Sequence, residues 1–323
     1  MKLYYYEPNG RITVGDASRF VVFEALNKVE ITESVRELGN KARIVLPRNY
    51  KELAGKGVLE YIKVGDPVKV ELGFDGRYYQ EFTGFISEVE SGAPLVLHCD
   101  DEFYPLKQNS FNNSWKSVSL KTLLHYVSDG LEVSCPDVEL GNFEILNVST
   151  YRVLWELQRS FGFYSWVKDG VLNCHFGYDL GQTGDEHTYT FYDNVKKNDL
   201  KYKRAEDVKV RVKGISNLRN GKKLTFEVGP EGRDVSIRTL NFGPLSEAEL
   251  KKATEEQYKK LAFDGYNGSV TGFAYPRTHA GDTLKIVDRE EPDREGRYRI
   301  EKTVIRYGLD SGYERENTLS FKL

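Results

Sequence analysis

The residues of this chain that could carry out chemistry are its densest carboxylates, Asp100-Asp101-Glu102 and Glu290-Glu291. Hydrolysis of a glycosidic bond needs two carboxylates held at a set separation across a cleft. Adjacency along the chain does not establish such a separation, and carboxylates also gather in structural ion-pair networks. We therefore interpret both clusters as solvated loops.

The histidines and cysteines do not have the spacing of a metal site. The five histidines are His98, His125, His175, His187 and His279. No two of them lie four residues apart on a predicted helix, and no HExxH motif is present. His98-Cys99 and Cys174-His175 are adjacent pairs, but adjacent strand residues point to opposite faces, so each pair offers at most one ligand to a site.

The usual nucleotide-binding and nucleophile motifs do not occur in the sequence. There is no phosphate-binding loop, no GxSxG motif and no GxGxxG motif after a strand. We expect no catalytic residues, no cofactor-binding residues, no metal-binding residues and no cofactor. The chain is therefore predicted not to be an enzyme.

The composition argues against several further classes of protein. A formal net charge of −3 gives no basic field for nucleic acid, so no nucleic-acid binding is expected. No apolar run reaches the length of a membrane span, so no membrane anchor is expected. The N-terminus lacks the apolar core of a signal peptide and is read as mature cytosolic sequence. The odd number of cysteines (Cys99, Cys135, Cys174) predicts reduced thiols and not a disulfide framework.

One segment of the chain occurs twice. Residues 65–89 and 281–305 both begin with Gly-Asp, continue with alternating apolar residues, contain Gly-Arg-Tyr and end in a second alternating run. The interval from the first glycine to the aromatic residue Phe82 or Tyr298 is the same in both. Gly-Asp before an alternating run is typical of a turn that leads into a strand. Each segment is predicted to be a β-hairpin, and the pair predicts two similar β-domains in one chain.

The first two thirds of the chain divide where the apolar period changes. Alternation over residues 1–98 predicts a first small β-barrel. In residues 99–205, Ser119 and Ser149 each precede an apolar stripe with helical spacing, and Asp169-Gly170 marks a hairpin turn. The middle segment is therefore predicted to be a mixed α+β domain.

The last third returns to the period of strands. Residues 206–323 predict a second small β-barrel, which includes a helix near residues 246–262 because Ser246 and Glu249 form a capping box. The fold class is predicted to be mainly β with α+β: two similar small β-barrels in one chain plus a mixed α+β domain between them.

Two surface segments have two interpretations each. Tyr4-Tyr5-Tyr6 is either an ordinary edge strand or an aromatic anchor of an interface. Residues 288–297 interleave charges of both signs. They form either a soluble hairpin tip or a subunit contact in which complementary charges set the register.

Several short stretches carry a resemblance to a known family. In chain order they are Val64-Gly65-Asp66-Pro67-Val68, Phe82-Thr83-Gly84-Phe85-Ile86, Cys99-Asp100-Asp101-Glu102-Phe103, Pro105-Leu106-Lys107, Lys213-Gly214-Ile215-Ser216, Gly281-Asp282 and Glu295-Gly296-Arg297-Tyr298. In this order they resemble the baseplate hub proteins of contractile phage tails, called late control protein D or tail hub proteins in prophages. The hub portion of type VI secretion spike proteins, from another contractile injection system, is similar.

The resemblance implies a structural protein of the virion tail baseplate, assembled in the cytoplasm of the bacterial host. Hub proteins of this kind are homotrimers, in which each subunit contributes two similar barrels and three subunits form a ring of six. One side of the ring matches the sixfold tail tube, and the remaining domains carry the threefold spike. The implied partners are copies of the chain itself, the tail tube protein, the spike protein and other baseplate proteins.

The chain departs from some members of that family, and other functions remain open. It ends at Leu323 without a needle or a lysozyme domain, so the spike and any cell-wall hydrolase are expected to be separate chains. The alternative function is a tail-associated cell-wall glycan hydrolase or a carbohydrate-binding protein. Carbohydrate binding is suggested by Trp115, Trp155 and Trp166, although the last two are more readily explained by core packing.

Overall fold

The computed structural model describes residues 7–47, 58–176, 184–218, 222–243 and 245–323. The first strands are β1 (Pro8–Gly15), β2 (Phe20–Phe23), β3 (Lys28–Ser34), β4 (Lys41–Leu46), β5 (Pro67–Phe74), β6 (Arg77–Glu90) and β7 (Leu95–Asp100). The middle elements are α1 (Phe103–Gln108), β8 (Phe111–Ser119), α2 (Leu120–Val127), β9 (Glu132–Ser134), β10 (Glu139–Val148), α3 (Thr150–Phe161), β11 (Phe163–Lys168) and β12 (Val171–Phe176). The last elements are β13 (Glu186–Thr190), β14 (Val195–Lys203), β15 (Val210–Asn217), β16 (Lys223–Val228), β17 (Ser236–Phe242), α4 (Glu247–Leu261), β18 (Gly265–Phe273), β19 (Thr283–Val287), β20 (Gly296–Gly308) and β21 (Gly312–Lys322).

Thirteen of these strands belong to one sheet. Its order is β14-β18-β21-β20-β3-β4-β7-β6-β5-β1-β2, and β19 pairs with β20 and with β13 beside this path. The predicted mainly β fold class with α+β is confirmed, since 54% of the structure is strand and 17% is helix. The closure of the two predicted barrels is not confirmed, because no sheet of the described residues closes into a barrel. To close the first barrel, the edge of β3 that does not pair with β4 would have to pair within the same group of strands. That edge pairs instead with β20, and this pairing joins the two groups of strands.

The sheet contains two groups of six strands that have the same strand order. The first strand unit, made of β1 and β3 to β7, has the order β1-β5-β6-β7-β4-β3. The second strand unit, made of β13, β14 and β18 to β21, has the order β13-β19-β20-β21-β18-β14. All these pairs are antiparallel except β13 with β19, which is parallel. The duplication predicted from the two hairpins therefore extends over six strands.

The Gly-Asp turns at the start of the two hairpins make the same backbone hydrogen bonds. The Gly65 N–H donates to the carbonyl oxygen of Ile86 at 2.8 Å, and the Gly281 N–H donates to that of Ile300 at 2.9 Å. Both glycines have φ in the left-handed region, +91° and +95°, where a side chain would be strained. These hydrogen bonds join the start of each hairpin to the same position on its second strand, Ile86 in one and Ile300 in the other.

The aspartates of the two turns also play the same part. The Asp66 carboxylate accepts a hydrogen bond from the Lys63 N–H, and the Asp282 carboxylate accepts one from the His279 N–H, both at 2.8 Å. An aspartate that bonds the backbone a few residues away closes a turn locally. The sequence repeat is therefore a structural repeat.

The detailed equivalence that spacing indicated is wrong by two residues. Val68 lies opposite Gly84 in the first hairpin, and Leu284 lies opposite Tyr298 in the second. Tyr298 thus corresponds to Gly84 and not to Phe82. The first hairpin turns at Asp75-Gly76, whereas residues 288–295 form a longer connection in the second. The Gly-Arg-Tyr sequence that both hairpins share therefore lies at different positions of the two strand pairs.

The middle of the chain is α+β, as predicted. Helices α2 and α3 begin where the serines indicated, since Ser119 Oγ accepts from the Thr122 N–H and Ser149 Oγ accepts from the Arg152 N–H. Their apolar faces pack with β8 and β10, and with the sheet of β9, β11 and β12, around fully buried residues such as Leu154. The Asp169-Gly170 hairpin turn is also confirmed, because β11 and β12 pair on either side of it.

The predicted capping box begins α4. Ser246 Oγ accepts from the Glu249 N–H, and the Glu249 carboxylate accepts from the Ser246 N–H at 2.8 Å. This helix packs on the three-stranded sheet β16-β15-β17, which lies between β14 and β18 in the chain. The division at residues 98 and 205 stays a prediction; β13 and β14, which precede residue 206, pair with strands of the second strand unit.

Candidate assembly interface

The most extensive contact between the two strand units is a strand pair. Strand β3 pairs antiparallel with residues 302–308 of β20, so that Ser34 lies opposite Lys302 and Lys28 opposite Gly308. The Val35 N–H adds a hydrogen bond to the Glu301 carbonyl oxygen at 3.0 Å. We call this strand pair, with the side chains packed around it, the inter-unit junction.

Apolar residues of the second strand unit complete the core of the first. Ile305, Tyr313 and Ala274 belong to the buried cluster that contains Val29 and Ile31 of β3. Ile305 and Ala274 are fully buried. The first strand unit therefore has no complete core without residues that follow it by more than half the chain.

A buried ion pair crosses the same junction. The Arg315 guanidinium on β21 donates to the Glu81 carboxylate on β6 at 2.7 Å, and both side chains are fully inaccessible to solvent. Arg315 also donates to the carbonyl oxygens of Ala274 at 3.1 Å and Thr278 at 2.9 Å. Attraction within a buried pair offsets its desolvation only when further hydrogen bonds are made, and each guanidinium nitrogen of Arg315 has a partner here.

The Glu81 carboxylate has two further donors. Tyr313 donates its hydroxyl at 2.9 Å, and Arg277 donates its Nε at 3.0 Å. All three donors belong to the segment 274–315 of the second strand unit. Because hydrogen bonds to a charged acceptor are directional and strong in a dry site, this carboxylate fixes the angle between the two units.

A second buried network supports the strands next to this ion pair. The Asn317 side-chain oxygen accepts from the hydroxyls of Thr278 and Thr303, each at 2.9 Å, and its amide donates to the Tyr189 hydroxyl at 3.1 Å. All four residues are buried. The polar groups in this part of the core are therefore paired with one another across four segments of the second strand unit.

A histidine and a glutamate form a pair at the rim of the junction. His279 Nδ1 lies 3.1 Å from the carboxylate oxygens of Glu33 on β3. The hydrogen bond to Glu33 raises the pKa of His279, and burial opposes this in part. The positive Arg315 also lowers this pKa, and the negative Glu81 raises it.

We expect this pair to make the junction less stable as the pH rises. A histidine whose pKa is higher in the folded protein than its unfolded value of about 6.5 stabilises the fold fully below that pH. The stabilisation is lost as the pH rises through the folded pKa. The difference in unfolding free energy between the wild-type chain and His279→Gln should therefore shrink as the pH rises above about 6.5. A difference that grows with pH would contradict this assignment.

The main path of the large sheet has two end strands, one in the second strand unit and one paired beside the first strand unit. Strand β14 ends the sheet on one side and β2 ends it on the other. On β2, Phe20 and Val22 are 60% and 43% exposed and line a groove of about 640 Å³ with Phe85. Edge strands present unpaired backbone groups, so both ends are candidates for contacts with other chains.

The first carboxylate cluster has a structural role. The Asp101 carboxylate accepts hydrogen bonds from the Asn40 N–H at 2.6 Å and from the Phe103 N–H at 3.0 Å, at the start of α1. Asp100 forms an ion pair with Lys107 at 2.9 Å. Burial raises the pKa of both Asp101 and Glu102. The interpretation of this cluster as a solvated loop is wrong for Asp101, which is partly buried and whose hydrogen bonds tie the start of β4 to α1.

The charged connection 288–297 is ordered by its own residues. The buried Asp288 carboxylate accepts from the Tyr266 hydroxyl at 2.8 Å and from the N–H groups of Glu290 and Glu291 at 3.1 Å. Glu290 in turn accepts from the Tyr192 hydroxyl at 3.1 Å. The proposed subunit contact at this connection stays a prediction. Tyr4-Tyr5-Tyr6 lies outside the described residues.

The adjacent pairs His98-Cys99 and Cys174-His175 do not share a site, since their histidines contact different residues. His98 lies 2.6 Å from a Glu90 oxygen, and His175 lies 3.2 Å from Ser134 Oγ. In the part of the chain that the structure describes, no group of three or more histidine, cysteine or acidic residues could hold a metal ion. Burial raises the pKa of the Cys99 and Cys174 thiols to about 12. All three cysteines are free thiols, as predicted.

The tryptophans pack against neighbours within the middle of the chain. The Trp155 ring contacts two guanidinium groups, with its centroid 4.0 Å from that of Arg152 and 5.2 Å from that of Arg159. Trp115 meets Tyr126 edge to face at 5.2 Å between ring centroids. Trp155 and Trp115 both pack on the core around α2 and α3.

Among the described residues, no helix is both long and apolar enough to cross a lipid bilayer. No model of a known protein family matches the sequence, and no curated protein matches it. The duplicated strand units, with an α+β segment between them, are the fold of phage tail proteins and of proteins associated with the type VI secretion spike.

Three solved structures show this fold. A tail protein from Neisseria meningitidis MC58 is 16% identical, with a TM-score of 0.65 over 98% of this chain and 97% of its own. A 43 kDa tail protein of prophage MuSo2 from Shewanella oneidensis is 13% identical, with a TM-score of 0.63 over 97% and 98%. An E. coli component of the type VI secretion system, described as structurally similar to the T4 tail proteins gp27 and gp5, is 10% identical. Its TM-score is 0.56 over 92% of this chain and 73% of its own.

Proposed function

We propose that this chain is a structural baseplate hub of a phage or prophage contractile tail. Three copies form a ring of pseudo-sixfold symmetry, which joins a sixfold tail tube to a threefold spike. The support from comparison is that two tail proteins share the fold over nearly the whole of both chains. A component of the type VI secretion system has a similar fold, which also supports the proposal.

The observation that carries this proposal is the inter-unit junction. Two units of the same strand order are joined head to tail, since an edge strand of the first pairs with an inner strand of the second. A head-to-tail contact between like units can be repeated by further copies and forms a ring when the rotation closes. A chain that carries two units needs only three copies for a ring of six.

The proposed partners follow from the position of a hub. They are the tail tube protein, the spike protein and other baseplate proteins, and the proposed location is the virion tail baseplate after assembly in the host cytoplasm. A PdpA–VgrG complex contains a chain with a TM-score of 0.51 to this one at 11% identity, of which this chain covers 65%. A complex of that kind supports a role in a spike assembly.

The proposal includes no catalysis. The carboxylates that suggested hydrolysis are engaged in other contacts: Asp101 with backbone N–H groups, Asp100 with Lys107, and Glu291 with Arg294 at 3.5 Å. We expect the purified chain to release no soluble fragments from peptidoglycan. Turnover that disappears on Asp101→Asn, with the fold retained, would favour the hydrolase instead.

The direct test is the molar mass in solution, measured by light scattering over a range of protein and salt concentrations. The monomer mass is 37.0 kDa, and a ring of three copies would have three times that mass. Electron microscopy of the trimer should then show six similar densities around the axis. A stable dimer would contradict the proposal, because two copies supply four strand units and not the six of the proposed ring.

A further inference from the structure

The inter-unit junction has a defined strand register, and the same register can be applied to a contact between two copies of the chain. On β3 and β20, Thr32 lies opposite Val304 and Glu30 lies opposite Arg306. The Arg306 guanidinium forms an ion pair with Glu30 at 3.3 Å. The junction therefore combines strand pairing with one pair of opposite charges on the outer face, acidic on β3 and basic on β20.

Strand β6 is the counterpart of β20, and a shared irregularity aligns the two. In β6, Ile86 lies opposite Cys99 and Glu88 lies opposite His98, so one residue is bulged out between them. In β20, Ile300 lies opposite Leu319 and Lys302 lies opposite Thr318, with the same bulge. Glu88 therefore corresponds to Lys302, and Glu90 corresponds to Val304.

Strand β14 is the counterpart of β3. Thr318 lies opposite Ser269 on β18, and Ser269 lies opposite Asp199 on β14. In the first strand unit, His98 lies opposite Arg43 on β4, and Arg43 lies opposite Glu30 on β3. Asp199 thus corresponds to Glu30. Two and four residues further on, Lys201 corresponds to Thr32 and Lys203 to Ser34.

The edges that these two counterparts would use are open within the described residues. Strand β14 is the last strand of the sheet and pairs only with β18. Beyond Ile86, strand β6 pairs only with β7. Glu88 and Lys201 are exposed, and Lys201 forms no ion pair with any described residue.

We propose that β14 of one copy pairs antiparallel with the end of β6 of the next copy, in the register of the inter-unit junction. Lys201 then lies opposite Glu90, and Lys203 lies opposite Glu88. This inference rests on the proposed function, because it supplies the contact between copies of the hub. The partner is a second copy of this chain, and the contact repeats in one direction around the ring.

The charges select this pairing over the other strand combinations. The contact between copies is basic on β14 and acidic on β6, which reverses the polarity of the Arg306–Glu30 pair inside the chain. If β14 paired with a free β20 in the same register, Lys203 would lie opposite Lys302. Like charges directly opposite on neighbouring strands are destabilising. Complementary charges of this kind choose the partner as well as the register.

One of the two proposed pairs is better suited to a test. The Lys203 ammonium donates to the Leu261 carbonyl oxygen at 2.8 Å and lies 3.7 Å from the centre of the Phe263 ring, so its substitution would disturb the chain itself. Lys201 and Glu90 are free of such burial, although Glu90 contacts His98. The Lys201–Glu90 position is therefore the one to vary.

The test is a disulfide between copies. Directly opposed residues of an antiparallel pair have Cα atoms about 4.5–5.5 Å apart, which suits a disulfide. The full chain carrying both Glu90→Cys and Lys201→Cys should give a disulfide-linked trimer under mild oxidation. The matched control carries Glu90→Cys with Lys197→Cys, which moves the second thiol by about 13 Å along the strand and should not cross-link.

The outcomes separate the strand register from the hub itself. A linked trimer with the first pair and not with the control supports the inference. A chain that forms trimers by light scattering but links only in the control, or in neither, overturns the register and leaves the hub proposal standing. A chain that stays at the monomer mass and does not link overturns both.

Charge variants give a second measurement that needs no cross-link. Lys201→Glu should raise the protein concentration needed for half-assembly by roughly tenfold, because the ring has three such contacts and each cross-strand charge pair is worth up to about 1 kcal/mol. Glu90→Lys should do the same, and the two changes together should restore assembly. Circular dichroism of each monomer would show that the fold is kept. Equal assembly of all three variants and the wild-type chain would overturn the proposed pair.

Discussion

Glu81→Ala is expected to lower the free energy of unfolding by about 3–5 kcal/mol. The change leaves the guanidinium of Arg315 fully buried without its negative partner. It also removes the acceptor of the Tyr313 hydroxyl and of Arg277 Nε. The measurement is urea unfolding at neutral pH, followed by circular dichroism. A loss below about 1 kcal/mol would show that the pair does not hold the two strand units together.

A double variant distinguishes a buried charge from lost packing. Glu81→Met together with Arg315→Met replaces the pair by apolar side chains, and such replacements are often neutral or stabilising. Arg277 can turn to solvent in this variant, since its side chain is 30% exposed and it also donates to the Gln80 carbonyl oxygen. We expect the double variant to be much more stable than Glu81→Ala alone. As a surface control, Lys213→Ala breaks the half-exposed pair with Glu227 at 2.9 Å and should change stability only slightly.

Ile305→Ala should cost about 2–5 kcal/mol of unfolding free energy, because it leaves a cavity in a close-packed core. Ile305 lies on β20, but its fully buried side chain packs in the core of the first strand unit. Hydrogen exchange should therefore lose protection in β3 and β4 more than in β14 and β18. Equal loss in both groups would mean that the two units unfold together and do not respond separately.

The matched control lies on the same hairpin. Leu309 follows β20 directly and is 93% exposed. Leu309→Ala removes a similar apolar side chain from the surface and should change stability by no more than about 0.5 kcal/mol. If both substitutions had the same effect, burial at the junction would not explain the loss at Ile305.

Local features of the fold were predictable from the sequence. Ser119, Ser149 and the Ser246–Glu249 capping box marked the starts of α2, α3 and α4, because each serine bonds an N–H that its own helix leaves free. The Gly-Asp turns were predictable for the same reason, since glycine φ angles and aspartate hydrogen bonds act over a few residues.

The register of the second hairpin was not predictable. Gly-Arg-Tyr occurs in both hairpins, but the connection that precedes it differs in length and contains the short 3-10 helix Pro292–Arg294 only in the second copy. Loop lengths change without altering the strand pattern on either side. Equal spacing in sequence was therefore a coincidence, and Tyr298 corresponds to Gly84.

The sequence indicates one residue of the buried ion pair, Arg315, but not its partner. On β21, alternate residues point inward, and Arg315 occupies an inward position between Tyr313 and Asn317. An inward arginine requires a buried counter-charge. Nothing local identifies Glu81 as that partner, because it lies 234 residues earlier on another strand. Such pairings are set by the packing of the two strand units and not by the sequence around either residue.

The inter-unit junction also has a consequence for synthesis on the ribosome. After strand β3 is synthesised, its pairing strand β20 and the core residue Ile305 emerge only after some 270 further residues. At a translation rate of about 5–20 residues per second, the nascent chain exposes the open edge of β3 for on the order of tens of seconds. Contacts this distant along the chain also form slowly once both ends are available. The first strand unit should therefore finish folding only after β20 has emerged, and during that interval a chaperone or a neighbouring nascent chain can reach its edge.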